Sequence, residues 1–384
     1  MKQAISWFLL LVLSLPLGAQ IEKKGWSIAM EAETFFRNNE YSAPYGTGYT
    51  LPGYKLAAKG TYEKRFSFGM ARLEGGVYAM GYFGAKTYPK GTWFAELPHW
   101  TDQSEVQRGA RLLPLVGITY VPNEHLTLRM GLLDRTLHHG LIAPLYNPEL
   151  RYTADPEQGV QFVWNYPAFR GDVWIDWQSF IFRADRHQEA FTAGLTTSFP
   201  LCTTDAYRME GSVQAIATHR GGEINWLRSD TVHTYAATSL GVKQTLSPFA
   251  SSPDKTLSLE IYFLLSSMRT AEPNNPIGKG IYAGLEFASR RLSVATSYWR
   301  GWHFVTPMGG PFVNSRALWE GPYVADASQT SYLSLKGHYA FIKGRSLSLG
   351  LQAQAWYHLL PTTSKSRLSH ALELYLSFMP QWKW

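Results

Sequence analysis

Cysteine is almost missing from this chain. Cys202 stands alone, so no intrachain disulfide can staple the fold and a small disulfide scaffold is excluded. Long hydrophobic runs are missing too. Past the first twenty residues the longest is of the kind Ile261-Tyr262-Phe263-Leu264-Leu265. A transmembrane helix needs roughly 18 apolar residues, so helical spans are excluded. The formal charge of +7 comes from scattered Lys and Arg rather than blocks, without the clustered basic footprint that a nucleic-acid partner requires. No repeat with a period of about 20–50 residues supports a solenoid or propeller.

What the chain does contain is alternation. From Ser346 to Leu359 the odd positions are Leu347, Leu349, Leu351, Ala353, Ala355, Tyr357 and Leu359, whereas the even ones are mostly polar or small. Successive side chains of a strand point to opposite faces, so such a segment has one apolar and one polar side. The pattern recurs as about sixteen stretches of the length a tilted strand needs to cross a bilayer. They fall near 25–36, 53–66, 70–84, 109–121, 124–134, 158–166, 170–182, 189–200, 205–219, 234–248, 255–269, 280–289, 292–305, 331–342, 345–360 and 368–379. Aromatic residues are abundant, with 14 Trp, 22 Tyr and 20 Phe, as expected where rings form girdles at two membrane interfaces.

The connections alternate between short turns and long Pro-, Gly- and Trp-rich loops, which is the layout of short periplasmic turns and long extracellular loops. A sheet in lipid must leave no unpaired edge, so these strands are expected to close into an all-β, antiparallel transmembrane barrel occupying residues 20–384. The outward series includes Leu257, Leu259, Ile261, Phe263 and Leu265, and in the last strand Leu368, Leu372, Leu374, Leu376 and Phe378. His370 interrupts that last outer face, and Pro114 interrupts 109–121. Residues 1–19 carry Lys2, an apolar run, Pro16 and the Gly18-Ala19 exit of a secretory signal peptide.

The chain thus resembles the Gram-negative outer-membrane β-barrels, ending in an amphipathic strand with Phe378, Trp382 and Trp384 at its close. Within that class the topology is most similar to the sixteen-stranded general porins. The resemblance implies location in the outer membrane among lipid and lipopolysaccharide, passage of small polar solutes or ions, and a homo-oligomer. It also implies that the loop after the fifth strand folds into the lumen. That loop is Arg135 to Glu157, and its candidate constriction residues are Arg135, His138, His139, Glu149, Arg151, Asp155 and Glu157, facing inward Arg72, Arg111 and Arg129 on the wall. A basic wall opposite an acidic loop would set up a transverse field. The alternative is that these charges pair with inward Glu31, Glu33, Glu63 and Glu74 on adjacent strands.

No cofactor is implied, and His138-His139 lacks the spaced ligand set of a zinc site. An outer-membrane hydrolase or lipid A-modifying enzyme is the main enzymatic alternative; Ser and His are plentiful for it, including Ser369-His370, His303 and His358, although no Gly-x-Ser-x-Gly motif is present. A third reading is a component handling surface polysaccharide or secretion. Its working surface would be the aromatic loops bearing Trp93, Phe94, His99 and Trp100, and Phe312, Trp319 and Tyr323.

Overall fold

A strand that is apolar on one side and polar on the other satisfies both sides only when lipid meets the first and an enclosed interior the second. The chain does this by closing on itself. The computed structural model describes residues 25–42, 48–84, 111–134, 139–182, 188–222, 232–247, 254–269, 276–315, 328–360 and 366–383. The expected leader, 1–19, lies outside them, as do Arg135, His138, Trp93, Phe94, His99, Trp100, Trp319, Tyr323 and Trp384.

In chain order the strands are β1 Trp26–Glu40, β2 Tyr49–Phe66, β3 Gly69–Tyr82, β4 Arg111–Asn123, β5 Leu126–Leu132, β6 Gln158–Tyr166, β7 Phe169–Ser179 and β8 Ala190–Thr203. They continue as β9 Tyr207–Arg220, β10 His233–Leu246, β11 Thr256–Arg269, β12 Gly278–Ala288, β13 Leu292–Trp302, β14 Gln329–Lys343, β15 Leu347–His358, β16 Leu368–Phe378 and β17 Gln381–Lys383. Each of the first sixteen pairs antiparallel with its chain neighbour, and β1 also pairs with β16, which closes the barrel. The tail after β16 is interrupted at Met379-Pro380 and then re-pairs with β1 as β17, through Ala29↔Gln381 to Ser27↔Lys383.

The expected faces hold. Leu257, Leu259, Ile261, Phe263 and Leu265 are exposed on the lipid side, as are Leu368, Leu372, Leu374, Leu376 and Phe378. Exposed rings gather at both ends of the wall: Trp26, Phe66, Phe68, Tyr166, Phe169 and Phe341 at the short-turn end, and Phe83, Trp177, Phe180, Phe182 and Tyr357 at the long-loop end. Pro114 is accommodated because the β4–β5 ladder begins only at Gly117↔Gly131, so the early part of β4 is laddered to β3 alone among the described residues.

Two differences from the sequence reading matter for the site. β1 runs on to Glu40 and β2 starts at Tyr49, because Asn38↔Thr50 and Asn39↔Tyr49 extend the ladder through residues whose composition suggests a loop. The inner wall is also not uniformly polar. Tyr262, Leu264, Tyr282, Trp299, Tyr332 and Trp356 are buried on its outer half, and what they pack against is chain folded into the lumen.

Candidate functional site

The chain leaves β5 at Gly131, whose φ of +92° and whose missing Cβ, which would lie 2.3 Å from the Val116 carbonyl oxygen, both demand glycine. Residues 139–157 then turn into the barrel. Leu141, Ile142, Leu145, Tyr146, Leu150 and Tyr152 are buried there, with Asn147 capping a single 3₁₀ turn, Pro148–Tyr152, by accepting from the Glu149 N–H at 3.0 Å. A second segment, 303–315 after β13, meets it. The Asn147 N–H donates to the Met308 carbonyl at 2.7 Å and the Gly310 N–H to that of Ala143 at 3.0 Å. At Gly309 the two backbones approach so closely that a Cβ would sit 2.2 Å from the Pro144 carbonyl oxygen. Phe304, Met308, Phe312 and Val313 join Leu145, Leu150 and Tyr152 in one buried cluster, to which residues of nearly every strand around the wall contribute. The two segments therefore pack against the inner wall in the outer half of the lumen.

Charge is built into this plug as pairs. Arg37 on β1 bridges the Glu149 carboxylate at 2.5 Å and that of Glu373 on β16 at 2.8 Å, and Arg151 also contacts Glu373. The Tyr152 hydroxyl donates to Glu373 at 2.9 Å, and the Asn39 amide to Glu149 at 3.2 Å. Of the wall residues expected to face the loop, Arg111 does so, pairing with Asp155 at 2.7 Å. Arg129 pairs with Asp134 at 3.1 Å, just below the loop. Arg72 is not brought to it, and bridges Glu63 at 3.0 Å near the short-turn end, while Lys55 bridges Glu33 at 3.1 Å. Arg111 thus meets the loop as an ion pair, and Arg72 and Lys55 pair along the wall. Arg37 is the cation that the sequence reading missed, because it lay one residue past the expected end of the first strand.

His139 fixes the loop's first turn. Its φ of +55° is in the left-handed region, its ring stacks on Trp174 with centroids 3.8 Å apart, and its two nitrogens reach Asp172 at 2.8 Å and Glu157 at 2.6 Å. Burial alone would lower the basicity of this imidazole, but hydrogen bonds to Asp172 and Glu157 outweigh it and push the pKa up to about 9. His139 is thus an imidazolium held between two carboxylates, an anchor rather than a base. Among the described residues no group of three or more His, Cys, Asp or Glu side chains is placed to hold a metal ion.

A Ser–His contact does occur: His358 Nε2 lies 3.0 Å from Ser369 Oγ. Both side chains are buried and face the lumen, with the Phe312 ring against His358 at 4.7 Å. Acyl chains of the surrounding leaflet do not reach them. Phe312 itself packs between Tyr41, Tyr332 and Trp356, so it joins a loop to the wall rather than offering a stacking surface.

The lipid-facing side of the same region is different. At the long-loop end of β1, β2 and β16, where apolar residues are expected, stand Asn38, Glu40, Thr50 and His370. The Thr50 hydroxyl donates to Asn38 Oδ1 at 2.7 Å, and the Asn38 amide donates to Glu40 Oε1 at 3.0 Å. His370 is the direct cross-strand partner of Glu40. Side chains so paired have Cβ atoms about 4.5–5.5 Å apart. Ser42 follows on the same edge and holds the strands together beyond the ladder, its hydroxyl donating to the Leu368 carbonyl at 2.5 Å. Polar residues on a lipid-facing wall are costly and mark function more often than not.

A family model for lipid A 3'-O-deacylase-type proteins matches residues 19–384. The chain belongs to this family. In structure it is similar to OprB of Pseudomonas putida, with a TM-score of 0.53 at 10% identity over 93% of this chain and 94% of that one. It is also similar to a loop L8 deletion mutant of OmpT, an outer membrane protein of Vibrio cholerae, with a TM-score of 0.51 at 10% identity over 94% of this chain and all of the other. Comparison with curated proteins gives no sequence match. The protein is therefore an outer-membrane β-barrel of porin-like architecture in a family named for lipid A deacylation.

Proposed function

We propose that this barrel is an outer-leaflet ester hydrolase that removes an O-linked acyl chain from lipid A, working from its lipid-facing wall. The observation that carries the reading is the placement of His370 opposite Glu40, outside the barrel and at its long-loop end. Glu40 accepts from Asn38, which in turn accepts from Thr50, and its carboxylate stands on the strand position opposite the imidazole, where a side-chain rotation would bring it within reach to orient the ring and stabilise the imidazolium. His370 takes a proton from water, the hydroxide adds to the ester carbonyl, and the carbon–oxygen bond to the sugar breaks. The imidazolium returns the proton to the leaving alkoxide, giving a free fatty acid and an alcohol. Membership in the lipid A 3'-O-deacylase-type family supports this substrate class.

Passive passage of small polar solutes is the second reading, favoured by the porin-like fold. The plug formed by 139–157 and 303–315 restricts it to a narrow or gated path. Refolded protein incubated with lipid A, followed by mass spectrometry, tests the first reading: the mass of one acyl chain is lost with the wild type and retained with His370→Ala. Large stepwise conductance in planar bilayers, with lipid A left intact, would move the function to the channel.

A further inference from the structure

Three strands away from His370 around the wall lies a second polar patch, and it is basic. In the outer half of the barrel the outward-facing strand cations among the described residues are Arg269, Lys279 and Arg300, on the consecutive strands β11, β12 and β13. They are brought together by register rather than by sequence. Lys279 is the cross-strand partner of Trp302 on β13, and Arg300 lies two residues further down that strand, with its guanidinium carbon 4.9 Å from the Trp302 ring centroid. Arg269 stands higher on β11, beyond the Leu265↔Lys279 pair.

None of the three forms an ion pair with a described residue, in contrast to Arg37, Lys55, Arg72, Arg111 and Arg129, each of which has a carboxylate within 4.0 Å. Arg300 reaches only the neutral Gln329 side chain, at 3.2 Å, and its Nε is buried without a hydrogen-bond partner. A cation on a lipid-facing wall needs either a carboxylate or an anion supplied by the membrane, and long Lys and Arg stems extend toward the headgroup level. Trp302 belongs to that level as well, since indole rings prefer the interface.

We infer that Lys279 and Arg300, flanked by Trp302, bind the phosphate of a phosphorylated glycolipid in the outer leaflet. The guanidinium offers a planar donor fork to the phosphate oxygens and the ammonium a point charge, while Trp302 and exposed Ile277 and Leu265 lie against the lipid's apolar part. With strands about 4.8 Å apart, three strands separate this patch from His370 by roughly 14 Å across the wall, and the ladder register sets His370 four residues, or roughly 13 Å, further from the long-loop end than Arg300. One headgroup seated on the basic patch would place its acyl region beside the His370–Glu40 pair. The site rests on the outer-leaflet lipid being the partner, not on hydrolysis, and binding can be measured without turnover.

The test is native mass spectrometry of the full chain carrying His370→Ala, titrated with lipid A bearing its phosphates and with enzymatically dephosphorylated lipid A. The phosphorylated form should bind more tightly. The Lys279→Gln/Arg300→Gln pair should weaken it by about twenty-five-fold, at about fivefold for each basic group. The charge-preserving Lys279→Arg/Arg300→Lys pair should retain most of the affinity, and Lys64→Gln, outward at the opposite end of the wall, should change nothing. Heat-modifiable migration on gels establishes that each variant is folded. Equal binding of the two lipids, or undiminished binding by the folded Gln pair, would overturn the site. Absence of hydrolysis by the protein that retains His370, with binding intact, would count against the His370 reading alone.

Discussion

The His139 anchor gives the most quantitative prediction. Its imidazole ordinarily has a pKa of 6.5 and is raised to about 9 in the folded barrel, so folding favours the protonated form. The stabilisation is fully present below pH 6.5 and is lost as pH rises through about 9. A shift of that size corresponds to about 3 kcal/mol, at about 1.4 kcal/mol per unit. Raising the pH from 6 to 10 should therefore weaken the attachment of 139–157 to the wall by about that amount. The assay is urea unfolding of the refolded barrel across this range, followed by heat-modifiable migration and tryptophan fluorescence, because Trp174 stacks directly on the ring. Replacing His139 by Phe keeps the stacking and removes the charge. That variant should be less stable at pH 6 and should lose the wild-type decline between pH 6.5 and 9. An equal decline in wild type and His139→Phe would refute the assignment of the pH dependence to this group.

Other consequences follow from the same geometry. Arg37→Met leaves buried Glu149 with only the neutral Asn39 and Tyr49 donors and removes one of the two cations on Glu373, and should lower stability by about 3 kcal/mol in urea unfolding. Gly131→Ala places a Cβ against the Val116 carbonyl at a positive φ and should cost about 1–3 kcal/mol in the same experiment. Replacing residues 141–155 by a short Gly/Ser linker removes half of the plug, and single-channel conductance in planar bilayers should rise well above that of the wild type. Glu40→Gln should lower the rate of acyl release with little change in stability, since Glu40 is exposed.

The barrel was legible in the sequence because period-two alternation has a single resolution once lipid is on one side. Leu257 to Leu265 and Leu368 to Phe378 lie where that argument puts them. The ends of strands were less legible. Asn38, Asn39 and Thr50 look like turn residues, yet the β1–β2 ladder carries them, and this hid both Arg37 and the Glu40–His370 pairing. The in-folding of the loop after β5 came from resemblance to porins, and Glu149, Arg151, Asp155 and Glu157 are indeed within it. Their partners could not be read, because a pair such as Arg151 and Glu373 is joined only by closure of the barrel. The second half of the plug, 303–315, left no signal beyond its aromatic content, since a loop that packs inward and one that packs over the mouth have the same composition. His370 was visible as a break in an apolar face, which is the one mark a lipid-facing polar residue leaves.

The most direct test is the mass of lipid A recovered after incubation with folded wild-type protein and with folded His370→Ala. If His370 is the base, one acyl chain is lost with the wild type and the lipid is unchanged with the variant. Unchanged lipid with both proteins, or equal loss with both, would contradict that role.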